Sequence, residues 1–427
     1  MKKLFTVALI LILLLSVVPV GASADTADNW VCAWSTSPVE AGLNDIAVLD
    51  KLGIALSSVS SRVGVTPTAR GSQLRLTFSN EFGTSPLSIG GCTVAATAAN
   101  QRVLSMTTIK IVTFGGKNTV SIPAGGVVVS DPVKFDVTAG QRLSVTTYFP
   151  CFNTQRTIGL IGGNTYAAVG NYTRVGSMLL GIPLELSADS GDYQVIPSLK
   201  SIDVLSSDPD ACSCVIFGDS TVANEIPRML ETKLRANGVT NVSVTQQAIK
   251  GNRLVADGIG TAGKVLGEAG LDRFQRDVLD QAGVKYVIVK LGINDIVHPH
   301  CASMADKLTP VTFEEMVEGY TQLVEMAHAQ GVKIYFAELT PWKGYTRNVL
   351  GAGDDVQWTP EIDALRQQLN AWFASDDCPA DGAVFFPSMA DPADIYALNP
   401  AFTPDGIHFN ADGQQAFVND FPVDIFA

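Results

Sequence analysis

The stretch Cys214-Val215-Ile216-Phe217-Gly218-Asp219-Ser220 sets the interpretation of the second half of the chain. Four apolar residues lead into a glycine-aspartate-serine turn, a pattern typical of a buried strand that ends in a loop. Further apolar runs follow at wide intervals: Val242 to Val244, Tyr286 to Leu291, Val332 to Leu339 and Ala383 to Phe386. Longer helical patterns separate these runs. Buried strands alternating with helices predict a parallel sheet covered by helices on both faces, a three-layer αβα domain.

Three of the intervening helices have recognisable limits. A helical stretch is expected from about Asn224 to Ala236, directly after the Ser220 turn. Apolar residues recur at helical spacing from Phe313 to Ala327, after the capping box Thr312-x-x-Glu315. Thr359-Pro360 is an N-cap followed by proline at the first helical position. The helix that it begins carries four apolar residues on one face: Ile362, Leu365, Leu369 and Trp372.

The first half of the chain has a different pattern. Short runs alternate apolar and polar residues with period two, as in Leu74 to Phe78, Thr119 to Ile122 and Arg142 to Tyr148. Glycine-rich turns separate them, and no helical period is present. Regularly spaced short strands predict an antiparallel sandwich or jelly roll. We therefore expect a β-sandwich accessory domain at residues 25–207 and the αβα domain at residues 208–427, joined at the polar, turn-prone segment from Ser206 to Asp210.

The first residues are interpreted as an export signal. Lys2 and Lys3 precede an apolar run from Leu4 to Val20, and Ala22-Ser23-Ala24 offers a small-residue cleavage site. This order predicts a signal peptide at residues 1–24 and a secreted protein; an uncleaved membrane anchor is the alternative. No second apolar stretch is long enough to span a bilayer.

Composition limits the partners of the chain. A formal net charge of −13 repels phosphate backbones, so nucleic acid is not an expected partner. The 7 cysteines are compatible with disulfides in an exported protein, although an odd number leaves at least one outside any pair and the pairing is open. Cys212 and Cys214, at the entry to a strand, are interpreted as core residues rather than a redox pair.

Polar residues follow several predicted strands at the point where each strand ends. Ser220 follows the first, Gly251 follows the next in Lys250-Gly251-Asn252, and Asn294 follows the third in Gly292-Ile293-Asn294-Asp295. In parallel sheets, function gathers at the carboxyl ends of the strands. Near the end of the chain, Asp405-Gly406-Ile407-His408 places a carboxylate where it can bond Nδ1 of the imidazole and leave Nε2 facing a nucleophile.

In this order the four segments resemble the sequence blocks of the SGNH (GDSL-type) hydrolase family. The resemblance implies that Ser220 is the nucleophile, His408 the general base and Asp405 the residue that orients the imidazole. It also implies an oxyanion hole formed by the N–H groups of Ser220 and Gly251 with the Asn294 side chain, and it requires no metal or cofactor. A looser resemblance, over Trp30 to Pro38 and Ser79 to Thr84, extends to the secreted subgroup with an N-terminal β-domain.

The chain departs from the family pattern around these residues. Thr221-Val222 follows the serine where many members have Ile-Thr, Gln247 stands where asparagine is frequent, and Lys250 precedes Gly251 where a small residue is common. These differences concern the pocket rim. Its candidate lining residues are Lys250, Asn252 and Trp342, although Trp342 is equally compatible with a core position. Asp219 is expected to tie down its own loop.

Parts of the sequence are also compatible with functions other than an esterase. His298-Pro299-His300 resembles the start of a metal site, but only two further histidines exist, so we expect a solvated loop there. The chain could also be a carbohydrate-binding protein with an inactive hydrolase fold. The preferred prediction is a secreted serine esterase that removes short acyl groups, particularly acetyl, from carbohydrates, so that its partner is an acylated carbohydrate. A lipid acylhydrolase or lysophospholipase is the alternative.

Overall fold

The structure is a computed structural model. It describes the following ranges, which exclude the predicted signal peptide: residues 28–40, 57–100, 102–151, 155–179, 184–185, 194–223, 225–259, 263–304, 307–349, 352–354 and 356–426.

Up to residue 205, the described chain is built almost wholly of strands. These are β1 (Trp30–Ser35), β2 (Pro38–Glu40), β3 (Ser57–Val65), β4 (Gly71–Ser79), β5 (Leu87–Ile89), β6 (Gly91–Asn100), β7 (Val103–Leu104), β8 (Lys110–Val112), β9 (Val120–Ile122), β10 (Val127–Val129), β11 (Val133–Val137), β12 (Leu143–Cys151), β13 (Thr157–Gly159), β14 (Asn164–Val169), β15 (Leu184–Glu185), β16 (Ile196–Pro197) and β17 (Leu199–Leu205).

These strands pair antiparallel in two main sheets and two small ones. One main sheet has the order β1-β17-β4-β10, with β11 also on β4; the other has the order β15-β14-β3-β12-β6-β7, with β8 on β6. The period-two pattern from Leu74 to Phe78 is confirmed, because Leu74, Leu76 and Phe78 are buried while Arg75 and Thr77 are only partly covered. Side chains from both main sheets belong to one hydrophobic cluster.

The second half contains strands and helices in alternation. The strands are β18 (Cys212–Gly218), β19 (Val242–Ala248), β20 (Val284–Lys290), β21 (Lys333–Ala337), β22 (Arg347–Val349), β23 (Ala352–Asp354), β24 (Gly382–Val384), β25 (Ala390–Asp391) and β26 (Asp394–Leu398). The α-helices are α1 (Ile226–Ala236), α2 (Gly270–Phe274), α3 (Ile293–Val297), α4 (Phe313–His328), α5 (Pro360–Phe373) and α6 (Ala411–Asp420).

The five predicted buried strands are present and form a parallel sheet in the order β19-β18-β20-β21-β24. Successive side chains of a strand point to opposite faces, and β18 shows this directly. Cys214 and Ile216 join the cluster that contains α1 and α6, whereas Val215 and Phe217 join a second cluster with α4 and α5. Both faces of the sheet are thus apolar and covered. Cys212 and Cys214 are buried, free thiols within this core.

The predicted helix signals are confirmed. Thr312 and Glu315 form a reciprocal capping box at the start of α4. The Thr359 hydroxyl accepts a hydrogen bond from the N–H of Ile362 at the start of α5. Among the helices in the described ranges, none is long and apolar enough to cross a membrane.

Strand β1 of the N-terminal region packs along β19, the edge strand of the parallel sheet. The Cys32 N–H donates to the Ala282 carbonyl at 2.9 Å, and the Ser243 hydroxyl donates to the Cys32 carbonyl at 2.7 Å. Thr68 and Ser243 share a hydrogen bond of 2.8 Å. One hydrophobic cluster also continues from the N-terminal sheets to the α1 face of the parallel sheet. The two halves are therefore joined by polar contacts as well as a common core.

Candidate active site

Ser220 lies in a single 3₁₀ turn at the carboxyl end of β18. Gly218 precedes the turn, where a Cβ atom would stand 2.5 Å from the Lys290 carbonyl oxygen, so the close approach of β18 and β20 requires glycine. The Asp219 carboxylate accepts hydrogen bonds from the Thr221 N–H at 2.9 Å and its hydroxyl at 2.8 Å. This confirms that Asp219 fixes its own loop.

His408 reaches Ser220 across 188 residues of sequence. Its Nε2 lies 2.8 Å from the Ser220 hydroxyl oxygen, and its Nδ1 lies 2.6 Å from Oδ2 of Asp405. The second Asp405 oxygen accepts the N–H groups of Ile407 and His408, so the carboxylate is held by its own loop. Serine hydroxyl, imidazole and carboxylate therefore form one continuous hydrogen-bonded chain.

The carboxylate of this chain is stabilised in its charged form. Burial acts to raise the pKa of Asp405, but the hydrogen bond and positive charge of His408 outweigh it and leave the pKa below its ordinary value. The Tyr345 ring stands edge-on to the His408 ring, with centroids 6.0 Å apart. The loop that carries Tyr345 is tied to the Asp405 loop, because the Thr346 N–H donates to the Asp405 carbonyl at 3.0 Å.

Gly251 lies in the loop after β19, at the same edge of the sheet. Its φ of +73° is in the left-handed region, and a Cβ atom there would lie 2.6 Å from the Leu266 side chain. Both observations restrict the position to glycine. The neighbouring Lys250 is half-buried.

Asn294 is the second residue of α3, the short helix that follows β20. Its side-chain amide donates to the Asn252 carbonyl at 3.0 Å, which joins the third polar segment to the second. A primary amide has two N–H donors, so this contact orients the group and leaves a second donor. The adjacent Asp295 carboxylate accepts the N–H groups of Leu254 and Val255, and burial raises its pKa to about 7.

Arg273, in α2, connects these loops, a role that no pattern in the sequence indicates. Its guanidinium donates to the carbonyls of Gly218 at 3.2 Å and Gln247 at 3.1 Å, and to the Asn252 side chain at 2.9 Å. It also reaches the Ser37 hydroxyl of the N-terminal region at 3.1 Å. The group is fully buried against the Phe217 ring, 4.2 Å from its centroid.

The charge of Arg273 has a buried partner on the next helical turn. Asp277 lies 3.3 Å from the guanidinium, and both side chains are inaccessible to solvent. Burial lowers the pKa of Arg273 to about 10, which leaves the group charged at neutral pH. A lone arginine in a short helix has no sequence pattern that would reveal such contacts.

Lys290 is a second buried cation that the sequence did not reveal. It ends β20 beneath the Ser220 turn, and its ammonium lies 3.3 Å from the Thr340 hydroxyl. Burial lowers the pKa of Lys290 to about 8, while the charges of Asp219 and Glu338 oppose that shift. Burial likewise raises the pKa of Asp219, and Lys290 moderates the rise.

Two expectations for the surroundings of the site are wrong, those for Asn252 and for His298 to His300, and of the two alternatives for Trp342 the core position is confirmed. Asn252 does not line a pocket: it is buried, and its amide donates to the Leu266 and Glu268 carbonyls. Trp342 is also fully buried, in the core cluster on the α4 face of the sheet. The segment from His298 to His300 is a short 3₁₀ helix rather than a solvated loop, and His298 is buried. In each case apolar packing or a local polar contact outweighs exposure.

Within the part of the chain that the structure describes, no group of three or more His, Cys, Asp or Glu side chains is arranged to hold a metal ion. His328 instead bonds the Asp381 carboxylate at 3.0 Å, far along the chain from the other histidines.

Comparison with known proteins identifies the region that carries this site. Residues 216–416 match the model of the GDSL-like lipase/acylhydrolase family. Among curated proteins, no match to the chain was found.

Several solved structures are similar at low identity. An acetyl xylan esterase, AlAXEase, is 16% identical over 48% of this chain and 96% of its own, with a TM-score of 0.34. The psychrotrophic esterase EstA from Pseudoalteromonas sp. is 15% identical over 49% and 93%, with a TM-score of 0.33. A family two carbohydrate esterase from Cellvibrio japonicus is 11% identical over 94% and 95%, also with a TM-score of 0.33.

The TM-scores are all below 0.5, so these likenesses carry no argument about substrate. The family match spans both Ser220 and His408, and residues 216–416 are therefore a hydrolase domain of the GDSL-like lipase/acylhydrolase (SGNH) family.

Proposed function

We propose that the protein is a serine esterase that hydrolyses carboxylic esters through an acyl-enzyme. The observation that carries the proposal is the continuous chain from Asp405 through His408 to the Ser220 hydroxyl, with links of 2.6 and 2.8 Å. A serine hydroxyl is a weak nucleophile until a neighbouring base removes its proton, and the imidazole is in position to do so.

The three groups have distinct roles in this proposal. His408 takes the proton of Ser220 as the oxygen attacks the ester carbonyl, then returns a proton to the departing alkoxide. Asp405 holds the imidazole in the required tautomer and stabilises the imidazolium. Water then attacks the acyl-serine by the same base catalysis, which releases the acid and regenerates Ser220.

The charge that develops on the carbonyl oxygen needs donors fixed in advance. We assign the N–H groups of Ser220 and Gly251 and the second amide N–H of Asn294 to this role. The left-handed backbone of Gly251 and the bond between Asn294 and the Asn252 carbonyl support the assignment, because both restrain a donor before substrate binds. Such donors typically contribute roughly 10²–10³ in rate each.

The proposed organisation of the protein follows the two halves described above. Residues 1–24 would be a signal peptide for secretion, residues 25–207 a β-sandwich accessory domain, and residues 208–427 a three-layer αβα catalytic domain. The change from antiparallel to parallel pairing between β17, which ends at Leu205, and β18, which begins at Cys212, supports the boundary.

The proposed substrates are short acyl esters, particularly acetyl groups on carbohydrates. This choice rests on the resemblance to exported family members that deacetylate glycans, and fold alone does not fix a substrate. A series of p-nitrophenyl esters with increasing acyl length tests it. Activity should fall sharply beyond butyryl, whereas a maximum at long chains would assign the protein to the lipid acylhydrolases.

Replacing the nucleophile tests the reaction itself. Ser220→Ala should abolish turnover of p-nitrophenyl acetate while circular dichroism and melting temperature stay at the parent values. Ser121→Ala, at an exposed position on β9, is the matched control and should keep full activity. Substantial turnover by folded Ser220→Ala would refute the mechanism, and a folded but inactive parent would favour a binding protein.

A further inference from the structure

A buried row of polar side chains runs along β19, the edge strand of the parallel sheet. Ser243, Thr245 and Gln247 alternate along it and therefore share one face, and each is at most 2% exposed. Strands of a parallel sheet are usually apolar on both faces, so such a row needs polar partners. The N-terminal region supplies them at both ends: Ser243 donates to the Cys32 carbonyl at 2.7 Å, and Gln247 accepts the Ser37 hydroxyl at 2.5 Å. This edge of the sheet is thus built to be covered by the N-terminal region.

Ser37, between β1 and β2, is the member of this contact that lies on the side of the active site. Its hydroxyl donates to the Gln247 side chain and accepts a bond of 3.1 Å from the Arg273 guanidinium. A hydroxyl has a single hydrogen, so the bond to Gln247 leaves a lone pair for the arginine. Gln247 is one of the departures from the family pattern, and orienting Ser37 gives it a role. Ser37 is 2% exposed, so the contact is shielded from solvent.

Arg273 carries this contact to the loops of the active site. The same guanidinium donates to the Gly218 carbonyl, at the entry to the Ser220 turn, and to the Asn252 side chain. The Asn252 carbonyl in turn accepts the Asn294 amide. Because a guanidinium is planar and its donors form a rigid fork, releasing one nitrogen allows the others to move as well. Loss of the Ser37 hydroxyl should therefore loosen both loops.

A second stretch of the N-terminal region contacts the next arginine of the same segment. Nε of Arg276 lies 3.8 Å from the Glu81 carboxylate, and its guanidinium stands over the Phe82 ring, 5.5 Å from the centroid. Arg276 also bonds the Asp277 carboxylate at 2.8 Å, the same group that pairs with Arg273. Two separate parts of the N-terminal region therefore converge on the segment that supports the active-site loops.

We propose that the N-terminal region is part of the catalytic framework and that Ser37 is a positioning residue. Through Arg273, its hydroxyl holds the loops of Ser220 and Gly251 in the geometry that ester hydrolysis requires. The effect on rate rests on the proposed function, whereas the effect on the loops does not. Since Ser37 acts on the geometry of the reacting groups, its loss should lower kcat and leave KM nearly unchanged.

Ser37→Ala and Ser35→Ala together test this role. Ser35 is also 2% exposed and joins the same two halves, but its hydroxyl donates to the Gln246 carbonyl at 3.2 Å, outside the Arg273 contacts. Each variant removes a buried hydroxyl from the junction, so both melting temperatures should fall slightly. With active sites counted by a phosphonate label, only Ser37→Ala should lower kcat for p-nitrophenyl acetate, roughly tenfold, with KM within about twofold of the parent.

A double-mutant cycle tests the route through the arginine. Arg273→Lys keeps the positive charge but loses the planar fork, so it should already lower kcat. If Ser37 acts through Arg273, adding Ser37→Ala to Arg273→Lys should change kcat by less than about twofold. Full additivity of the two losses would show that Ser37 acts elsewhere and would contradict the proposal.

Hydrogen exchange measures the loops without substrate. Amides in residues 217–222 and 249–254 should exchange about fivefold faster in Ser37→Ala than in the parent or Ser35→Ala, the factor that corresponds to one hydrogen bond of about 1 kcal/mol. Unchanged exchange and kcat in Ser37→Ala, or an equal loss of kcat in Ser35→Ala, would overturn the proposal. A folded parent without esterase activity would refute the proposed function instead, and the exchange rates would still decide whether Ser37 holds the loops.

Discussion

The serine half and the histidine half of the site are held by different kinds of contact. The turn at Ser220 depends on buried groups from distant parts of the chain: Asp219 caps it, Arg273 bonds the Gly218 carbonyl, and Lys290 lies beneath it. Asp219, Arg273 and Lys290 are each no more than 1% exposed. The position of the nucleophile is therefore a property of the folded core.

The histidine half is local and open to solvent. The side chains of His408 and Asp405 are 36% and 27% exposed. The loop is organised from within, because Asp405 accepts the Ile407 and His408 N–H groups and the Thr403 hydroxyl accepts that of Gly406. Substitutions on this side should reduce catalysis with little loss of stability, whereas substitutions of the buried groups that hold the Ser220 turn should reduce both.

Asp405→Asn should have the largest effect on activity, with only a small effect on stability. The amide can accept a bond from the imidazole or donate to it but does not stabilise the imidazolium, so kcat should fall roughly 10³–10⁴-fold. Steady-state kinetics and thermal melting measure the two quantities. Asp412→Asn, an exposed position on α6, is the matched control. A melting temperature at neutral pH that fell as far as that of Arg273→Met would remove the distinction between the two halves.

Arg273→Met should have the next largest effect, and it should lower the stability of the whole fold. It removes one of the two arginines that bond the buried Asp277 carboxylate, the other being Arg276, and it takes a buried donor from the Gly218 and Gln247 carbonyls. The free energy of unfolding should therefore fall by roughly 2–4 kcal/mol. Urea denaturation measures this, and kcat of the folded fraction should fall as well. Arg235→Met removes a partly exposed pair with Glu231 and should cost less than about 1 kcal/mol. Equal losses in the two variants would contradict the role given to Arg273.

Asn294→Ala tests the side-chain N–H that we assign as a donor to the developing oxyanion. Its contact strengthens only as charge develops, so kcat should fall roughly 10²–10³-fold with a smaller change in KM. Initial rates over a range of p-nitrophenyl acetate concentrations separate the two constants. A change confined to KM would make Asn294 a substrate-binding residue instead.

The smallest expected effect is a difference in acid stability. The pKa of Asp405 is lowered in the folded protein, so its stabilising contribution is present above the ordinary aspartate pKa and is lost as pH falls through the folded value. Parent and Asp405→Asn should therefore converge in melting temperature as pH falls below about 4. Melting curves between neutral pH and that range measure the gap, and a gap that widened on acidification would have the wrong sign.

The same division separates what the sequence could predict from what it could not. The capping box at Thr312, the strand before Ser220 and the pairing of Asp405 with His408 are signals within a few residues, and such local signals survive folding. The contacts of Arg273 join segments up to 236 residues apart. Hydrophobic periodicity predicts which side chains are buried, but it does not identify their polar partners.

The errors around the rim have a related cause. Asn252 follows Gly251 in a loop, where exposure is the usual expectation, but its amide is used to bind the Leu266 and Glu268 carbonyls. Trp342 follows the end of a strand, a position compatible with either a pocket or the core, and apolar packing buries it completely. Both outcomes depend on neighbours that the linear sequence does not place.

Covalent labelling is the most direct test of a serine nucleophile activated by His408. The full chain would be treated with ethyl p-nitrophenyl methylphosphonate, and its peptides would be mapped by mass spectrometry. The phosphonyl group should be found on Ser220, at a rate that falls sharply in His408→Ala. An ester-hydrolysing sample that carried the label on another residue, or that labelled Ser220 equally fast without the imidazole, would contradict this account.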